Sequence, residues 1–205
     1  MRLVAFGCSI TYGHGLYDCW DPSGIINTLT PSKLAWPNKL AELLGVEVIN
    51  KGSCGASNKE ISWNIQNFDF DEDDIVVIAW SYIQRYCTIQ SEKHIEQYGP
   101  WRVKTEKSSK VFFKQIWNEY DAKIDLHTRI NYINSMLDKQ NIKNFHAYAR
   151  DDYKLEVKWH TTQMLKSTMT SLRRNYPNAL DNLHPGEEAQ LAYAKKIHNE
   201  IKELI

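Results

Sequence analysis

The first 50 residues of this 205-residue chain constrain its fold most, because strand and helix patterns alternate within them. The run from Arg2 to Phe6 is apolar after its first residue, residues 34–44 carry leucines at helical spacing, and residues 46–50 form a second strand-like run. A strand, a helix and a strand in this order connect by a right-handed crossover and lie parallel in one sheet. Residues 75–80 are apolar throughout, which is typical of a central strand buried on both faces.

The sequence therefore predicts an α/β fold: a three-layer sandwich, flavodoxin-like in outline, around a mostly parallel sheet of about five strands. We expect a single domain over residues 1–205, because this length supports one buried core and is short for two. Residues 82–110 predict an irregular aromatic insertion, which is either a wall of the pocket or a satellite core, and residues 111–140 predict one long helix. Residues 144–149 predict a further strand, and residues 151–176 are ambiguous but permit one amphipathic helix.

The overall charge and the cysteines exclude several classes of partner and site. Lysine plus arginine equals aspartate plus glutamate at 25 each, so we expect no nucleic-acid and no membrane partner. The four cysteines contain no Cys-x-x-Cys pair, which argues against a zinc or redox site. No signal-peptide pattern and no stretch of about 20 apolar residues is present, so a cytoplasmic location is expected, with a secreted or virion destination left open. The sequence does not determine the oligomeric state.

Two turns at opposite ends of the chain carry residue types that cooperate in nucleophilic catalysis. Ser9 follows the first strand, and ligands bind at the carboxyl ends of parallel strands. Near the C-terminus Asp181 precedes His184 by three residues, so the carboxylate can hold one imidazole nitrogen while the other faces a nucleophile. The alternative is that Ser9 and Asp181 only cap the helices that follow them.

These blocks resemble those of the SGNH, or GDSL-type, hydrolase family, which has a Gly-Asp-Ser block near the N-terminus and an Asp-x-x-His block near the C-terminus. The resemblance implies that Ser9 is the nucleophile, His184 the general base and then acid, and Asp181 the group that orients His184. It implies hydrolysis of an ester through an acyl-enzyme, with no metal and no cofactor. A small O-acyl group, such as acetyl on a carbohydrate, is the substrate expected at the family level. Cys8 stands where the family has aspartate, and we assign it to packing.

The resemblance also implies donors for an oxyanion hole in the middle of the chain. Gly55, in a glycine-rich turn after strand two, matches the family's glycine amide, with Gly52 as the fallback; the alternative is a plain strand-to-helix turn. The family's Gly-x-Asn-Asp block is replaced by residues 79–82, so that Ser81 stands in place of the asparagine and its hydroxyl reaches less far than an amide. Arg85 is either a substitute donor or a surface arginine.

The sequence favours a serine esterase, and other functions stay open. The first is a weak or inactive SGNH-like protein that binds a carbohydrate or a protein partner, because the Gly-x-Asn-Asp block is missing. The second is a mononucleotide or flavin binder, because the turn at residues 7–11 could hold a phosphate. The third is acyl transfer to an acceptor other than water, which a triad alone does not distinguish from hydrolysis.

Overall fold

The computed structural model describes residues 1–20, 29–91, 94–153 and 163–205. Its strands are β1 (Arg2–Gly7), β2 (Glu47–Gly52), β3 (Ile75–Ala79), β4 (Tyr86–Ser91), β5 (His94–Tyr98) and β6 (Lys143–Ala147). Four of them form a parallel sheet in the order β2-β1-β3-β6, and β4 and β5 form a separate antiparallel hairpin. The order places β1 and β3 in the centre, as their apolar sequences require.

Helices cover both faces of this sheet. They are α1 (Ser9–Tyr12), α2 (Trp36–Leu44), α3 (Asn58–Gln66), α4 (Lys107–Gln115), α5 (Glu119–Lys139), α6 (Met169–Arg173) and α7 (Glu187–Ile201). Helices α2 and α7 share one hydrophobic cluster with Leu3 and Val77, whereas α3 and α5 share the other with Val4 and Ile78. Because successive strand residues point to opposite faces, β1 and β3 supply both clusters. The predicted three-layer α/β sandwich is confirmed.

The fifth strand predicted for the sheet is reduced to a single bridge among the described residues. Beside β6 the described chain makes a single parallel bridge, between His146 and Met164. His146 donates its amide to Gln163 and accepts from the amide of Leu165, at 3.1 and 2.7 Å. The described residues therefore contain a four-stranded sheet with one bridge at its edge, rather than five strands. His146 itself is buried between Trp80 and Asn144, as expected of a core histidine.

Several element predictions between β3 and the C-terminus were wrong. The region predicted as irregular contains the β4–β5 hairpin, whose strands pair from Tyr86 opposite Tyr98. The single helix predicted over residues 111–140 is two helices, because Asn118 caps α5 by accepting a hydrogen bond from the amide of Asp121. The amphipathic helix permitted over residues 151–176 shrinks, in its described part, to the 3₁₀ turn Asp151–Tyr153 and the short α6, and residues 154–162 lie outside the described residues.

Two local features differ from what their sequences favour. A proline followed by acidic residues favours Pro185 at the first helical position, but α7 begins at Glu187 with Gly186 as its N-cap. The acidic run over residues 69–74 favours a solvated turn, yet the Asp74 side chain is buried and accepts two hydrogen bonds from Arg2. None of the described helices combines the length and apolarity needed to cross a bilayer.

Candidate active site

The turn after β1 brings Ser9 to the carboxyl end of the central sheet. A Cβ at Gly7 would lie 2.1 Å from the Thr11 hydroxyl and 3.0 Å from the Ala79 carbonyl oxygen, so only glycine permits this tight turn. Ser9 then begins α1, and Gly13, with a φ of 84°, ends it. The Ser9 side chain is buried at this junction.

A second turn, before α7, positions Asp181 and His184. Asn182 has a φ of 57°, a left-handed conformation that asparagine tolerates better than most residues. This turn lets one carboxylate oxygen of Asp181 accept the amides of Leu183 and His184, at 2.9 and 3.0 Å. The other oxygen lies 2.5 Å from Nδ1 of His184. The imidazole is therefore oriented by a carboxylate that is itself fixed by the backbone.

The fold brings these two turns together. Nε2 of His184 lies 3.0 Å from Oγ of Ser9, although the residues are 175 positions apart in the chain. With the Nδ1 proton donated to Asp181, Nε2 is left to accept the proton of the serine hydroxyl. Ser9, His184 and Asp181 thus form one hydrogen-bonded chain of the kind that activates a serine nucleophile.

Burial and hydrogen bonding set the protonation states of His184 and Asp181. The pKa of His184 is lowered overall: burial is the largest cause, Asp181 opposes it, and the charges of Arg85 and Arg173 add to the lowering. Burial alone would raise the pKa of Asp181, but hydrogen bonds from the amides of His184 and Leu183 and from the imidazole outweigh this and lower it. At neutral pH the carboxylate is therefore ionised and the imidazole is neutral, the form that a general base requires.

His14 is part of the site and was missed by the sequence analysis. Its ring packs against that of His184, tilted by 40° and with 4.5 Å between centroids, and its Nε2 lies 3.7 Å from Asp181. Its Nδ1 lies 3.4 Å from the Cys54 sulfur. Burial lowers the pKa of His14, a protonated His184 lowers it further, and the charge of Asp181 opposes this lowering in part. The available signal was its place between two glycines in the loop that follows Ser9.

One group of side chains could hold a metal ion. Donor atoms of His14, Asp181 and His184 lie within 4.8 Å of one another. A search of the described residues for clusters of three or more His, Cys, Asp or Glu side chains finds this group. Two histidines and a carboxylate are ligands that suit Zn²⁺. In the observed arrangement, however, Asp181 and His184 are joined by a hydrogen bond that an ion bound to the same atoms would break.

Ser9 and His184 open onto a cleft of about 450 Å³. The residues that line it are Ser9, His14, Cys54, Gly55, Arg85, Gln97, Trp101, Leu183 and His184. Gly55 has a φ of 79°, and a Cβ there would lie 2.5 Å from Oε1 of Gln97. The amides of Ser9 and Gly55 donate no hydrogen bond within the described part of the chain.

Of the other two predicted site residues, Ser81 and Arg85, only Arg85 lines the cleft. Ser81 does not line the cleft: its hydroxyl is buried and has no hydrogen-bond partner among the described residues. Asn58 holds the Ser81 backbone instead, accepting its amide at 2.6 Å and donating to its carbonyl at 3.2 Å. Arg85 does line the cleft, together with Gln97 and Trp101 from the predicted insertion.

Comparison with solved structures identifies the fold as that of the SGNH hydrolases. The chain superposes on a member of the lipolytic protein G-D-S-L family from Veillonella parvula with a TM-score of 0.54 and 14% identity, covering 100% of both chains. It superposes on TesA with a TM-score of 0.62 and 12% identity, again covering both chains fully. For an acetyl xylan esterase from the rumen bacterium Butyrivibrio proteoclasticus the values are 0.58 and 13%, covering 98% of this chain and 63% of that one.

Sequence comparison adds nothing to this assignment. No family model matches the chain, and no curated protein matches it in sequence. The likeness to the solved structures, at 12 to 14% identity, shows the fold and leaves the activity to be argued from the site.

Proposed function

We propose that this protein is a serine esterase of the SGNH type. The observation that carries the proposal is the hydrogen-bonded chain from Ser9 through His184 to Asp181, at the carboxyl end of the central strands. Burial of His184 also supports it, because a neutral imidazole is the form that accepts a proton.

The reaction proceeds in two halves. The Ser9 oxygen attacks the ester carbonyl carbon as its proton passes to Nε2 of His184, which gives a tetrahedral oxyanion. This intermediate collapses by breaking the carbon–oxygen bond of the leaving alcohol, which takes the proton from His184. Water then attacks the acyl-Ser9 ester by the same steps, releasing the carboxylic acid and restoring the Ser9 hydroxyl. Asp181 stabilises the imidazolium throughout and keeps the ring oriented.

The amides of Ser9 and Gly55 are the donors that we assign to the oxyanion. Both have no partner within the described residues, as an oxyanion hole requires of donors that are preorganised for a substrate. Loss of one such donor typically costs about a hundred- to a thousandfold in turnover. The buried Ser81 hydroxyl therefore supports a slow enzyme, unless another cleft residue acts in its place.

A small O-acyl group on a carbohydrate is the substrate that we propose. The cleft, of about 450 Å³, has the size of an ordinary small-molecule site. Trp101 lines it and is half exposed, which suits packing against a sugar face. A structural neighbour described as an acetyl xylan esterase supports the same class.

The test uses 4-nitrophenyl acetate and a serine-directed fluorophosphonate on the wild type, Ser9→Ala and Cys8→Ala. We expect Ser9→Ala to lose hydrolysis and labelling, and Cys8→Ala to retain labelling, because Cys8 packs into the core under α3 and α5. Labelling that follows Cys8 instead of Ser9 would exchange their roles, and a wild type with neither activity nor labelling would refute the esterase.

A carbohydrate-binding protein without turnover is the second candidate, favoured by the Ser81 hydroxyl that does not reach the cleft. It predicts that acetylated sugars bind to the wild type and to Ser9→Ala with equal affinity and that neither protein releases acetate. Calorimetric titration combined with an acetate assay separates the two candidates.

A further inference from the structure

Arg85 carries a charge in the cleft that the mechanism above does not use. Its guanidinium lies 5.1 Å from the ring centre of Tyr82 and 5.2 Å from that of Trp101. Contacts with aromatic faces restrict a planar guanidinium without neutralising it. Arg85 also lines the cleft beside His184, and its charge lowers the pKa of that histidine.

The guanidinium has no counterion in the described structure. Among the residues described, no carboxylate lies within 4.0 Å of it, and its Nη1 nitrogen is buried without a hydrogen-bond partner. A buried charged donor is costly when it is left unpaired, and native proteins pair nearly all such groups. Arg85 also lines the cleft with Ser9 and His184, so a ligand bound there can supply a partner for the charge of this side chain.

Two buried carboxylates around the cleft, those of Asp181 and Glu60, are already engaged. Asp181 accepts hydrogen bonds from His184 and from two backbone amides. Glu60 is buried and accepts from the Ser53 hydroxyl at 2.7 Å and from the Gln97 amide at 2.9 Å. Neither lies within 4.0 Å of Arg85, and neither do Asp121 and Asp125, which line a second cavity with it. Among the described residues the positive charge of Arg85 is therefore not neutralised.

We propose that Arg85 binds a carboxylate that the substrate carries close to the ester attacked by Ser9. The planar fork of a guanidinium matches the two oxygens of a carboxylate. The inference rests on the proposed esterase function and narrows its substrate to acyl esters of acidic molecules. The carboxylate belongs either to the alcohol half, as in an O-acetylated uronic acid, or to the acyl half, as in a dicarboxylic acid monoester.

Two matched pairs of esters test this proposal. A mono-O-acetylated methyl glucuronoside against the corresponding glucoside places the carboxylate in the alcohol half. The 4-methylumbelliferyl monoester of adipic acid against the hexanoate places it in the acyl half. We expect kcat/KM for the acidic member of one pair to exceed that of its neutral partner by about ten- to a hundredfold, the usual strength of a charged hydrogen bond.

The readout for Arg85 is the ratio between acidic and neutral substrates, which does not depend on the overall rate. Arg85→Met is expected to bring that ratio close to one, and Arg85→Lys to keep part of it. Lys59→Met is the matched control, since Lys59 is a nearby cation on α3 whose Nζ lies 5.7 Å from the Tyr86 ring. The control should keep the wild-type ratio.

Two outcomes would overturn the proposal. A wild-type ratio near one in both pairs would show that the substrate charge is not recognised. An equal loss on acidic and neutral esters in Arg85→Met would make Arg85 an oxyanion donor instead. Failure of the esterase itself appears differently, as turnover that does not depend on Ser9. If no ester is turned over, calorimetry with methyl glucuronoside and methyl glucoside decides the question, since only Arg85-dependent binding of the acid supports it.

Discussion

At the scale of single residues, the position of Asp181 depends on a glycine from the other end of the chain. Gly15 has a φ of 83°, and a Cβ there would lie 2.7 Å from Cγ of Asp181. The amide of Leu180 donates to the Gly15 carbonyl at 3.0 Å, which holds the two loops together. Nothing in the local sequence around Gly15 indicates this contact.

We expect Gly15→Ala to lower kcat on 4-nitrophenyl acetate at least tenfold, because the methyl group displaces the carboxylate that orients His184. Left-handed strain of about 1–2 kcal/mol also lowers stability. Activity and thermal unfolding are measured on the same preparation.

Gly45→Ala is the matched control for that substitution. Gly45 also has a positive φ, 68°, but no atom lies within 4 Å of the position that its Cβ would take. It should therefore lose stability to a similar extent and keep its kcat. Equal losses of kcat in both variants would show that strain, and not displacement of Asp181, is responsible.

At the scale of elements, the β4–β5 hairpin forms part of the cleft and is tied to the turn after β2. Gln97, on β5, donates to the Cys54 carbonyl at 3.2 Å and to the buried Glu60 at 2.9 Å. The turn that these contacts brace contains Gly55, whose amide we assign to the oxyanion. The hairpin was missed because its strands are short and largely polar, and no Gly, Pro, Asn or Asp stands at their junction.

Gln97→Met is expected to reduce stability by about 1–3 kcal/mol, because Glu60 loses one of its two side-chain donors while staying buried. It should also lower kcat/KM by loosening the Gly55 turn. Urea unfolding and ester hydrolysis measure the two effects.

Gln90→Met serves as the control on the same hairpin. Gln90 is exposed and makes a 3.3 Å hydrogen bond to Glu96 at the surface, so its loss should cost less than about 0.5 kcal/mol. If both variants behave alike, the bridge through Gln97 does not brace the site.

At the scale of the whole molecule, one buried side chain connects the two ends of the chain. Gln190, on α7, accepts the amide of Trp36 at 3.0 Å and donates to the carbonyl of Ile10 at 3.2 Å. It therefore joins the C-terminal helix to the start of α2 and to the turn that carries Ser9. The helix that follows His184 is held in register with the nucleophile by this contact.

Gln190→Leu is expected to destabilise the protein by about 2–5 kcal/mol, since the buried Trp36 amide and the part-buried Ile10 carbonyl lose their partner and leucine offers no polar group to replace it. Gln66→Leu, at an exposed position at the end of α3, should change stability by less than about 0.5 kcal/mol. Urea unfolding of both variants measures the difference, and a loss in Gln190→Leu as small as in the control would show that the contact is dispensable.

What the sequence determined by itself was the part of the protein that depends on short-range patterns. The apolar runs of β1 and β3 and the helical spacing of α2 specify the layers, because each pattern reflects burial of its own element. The residue types around Ser9 and His184 specified candidate chemistry, because few residue types combine a nucleophile with an oriented base.

Only the tertiary structure decided which side chains meet. Three features depend on contacts between residues distant in sequence: His14 lies against His184, the Ser81 hydroxyl is buried, and Arg85 has no counterion among the described residues. Such contacts follow from how loops at the carboxyl edge of the sheet pack on one another. A local sequence pattern records the burial of its own element, and it carries no information about which distant side chain will lie beside it.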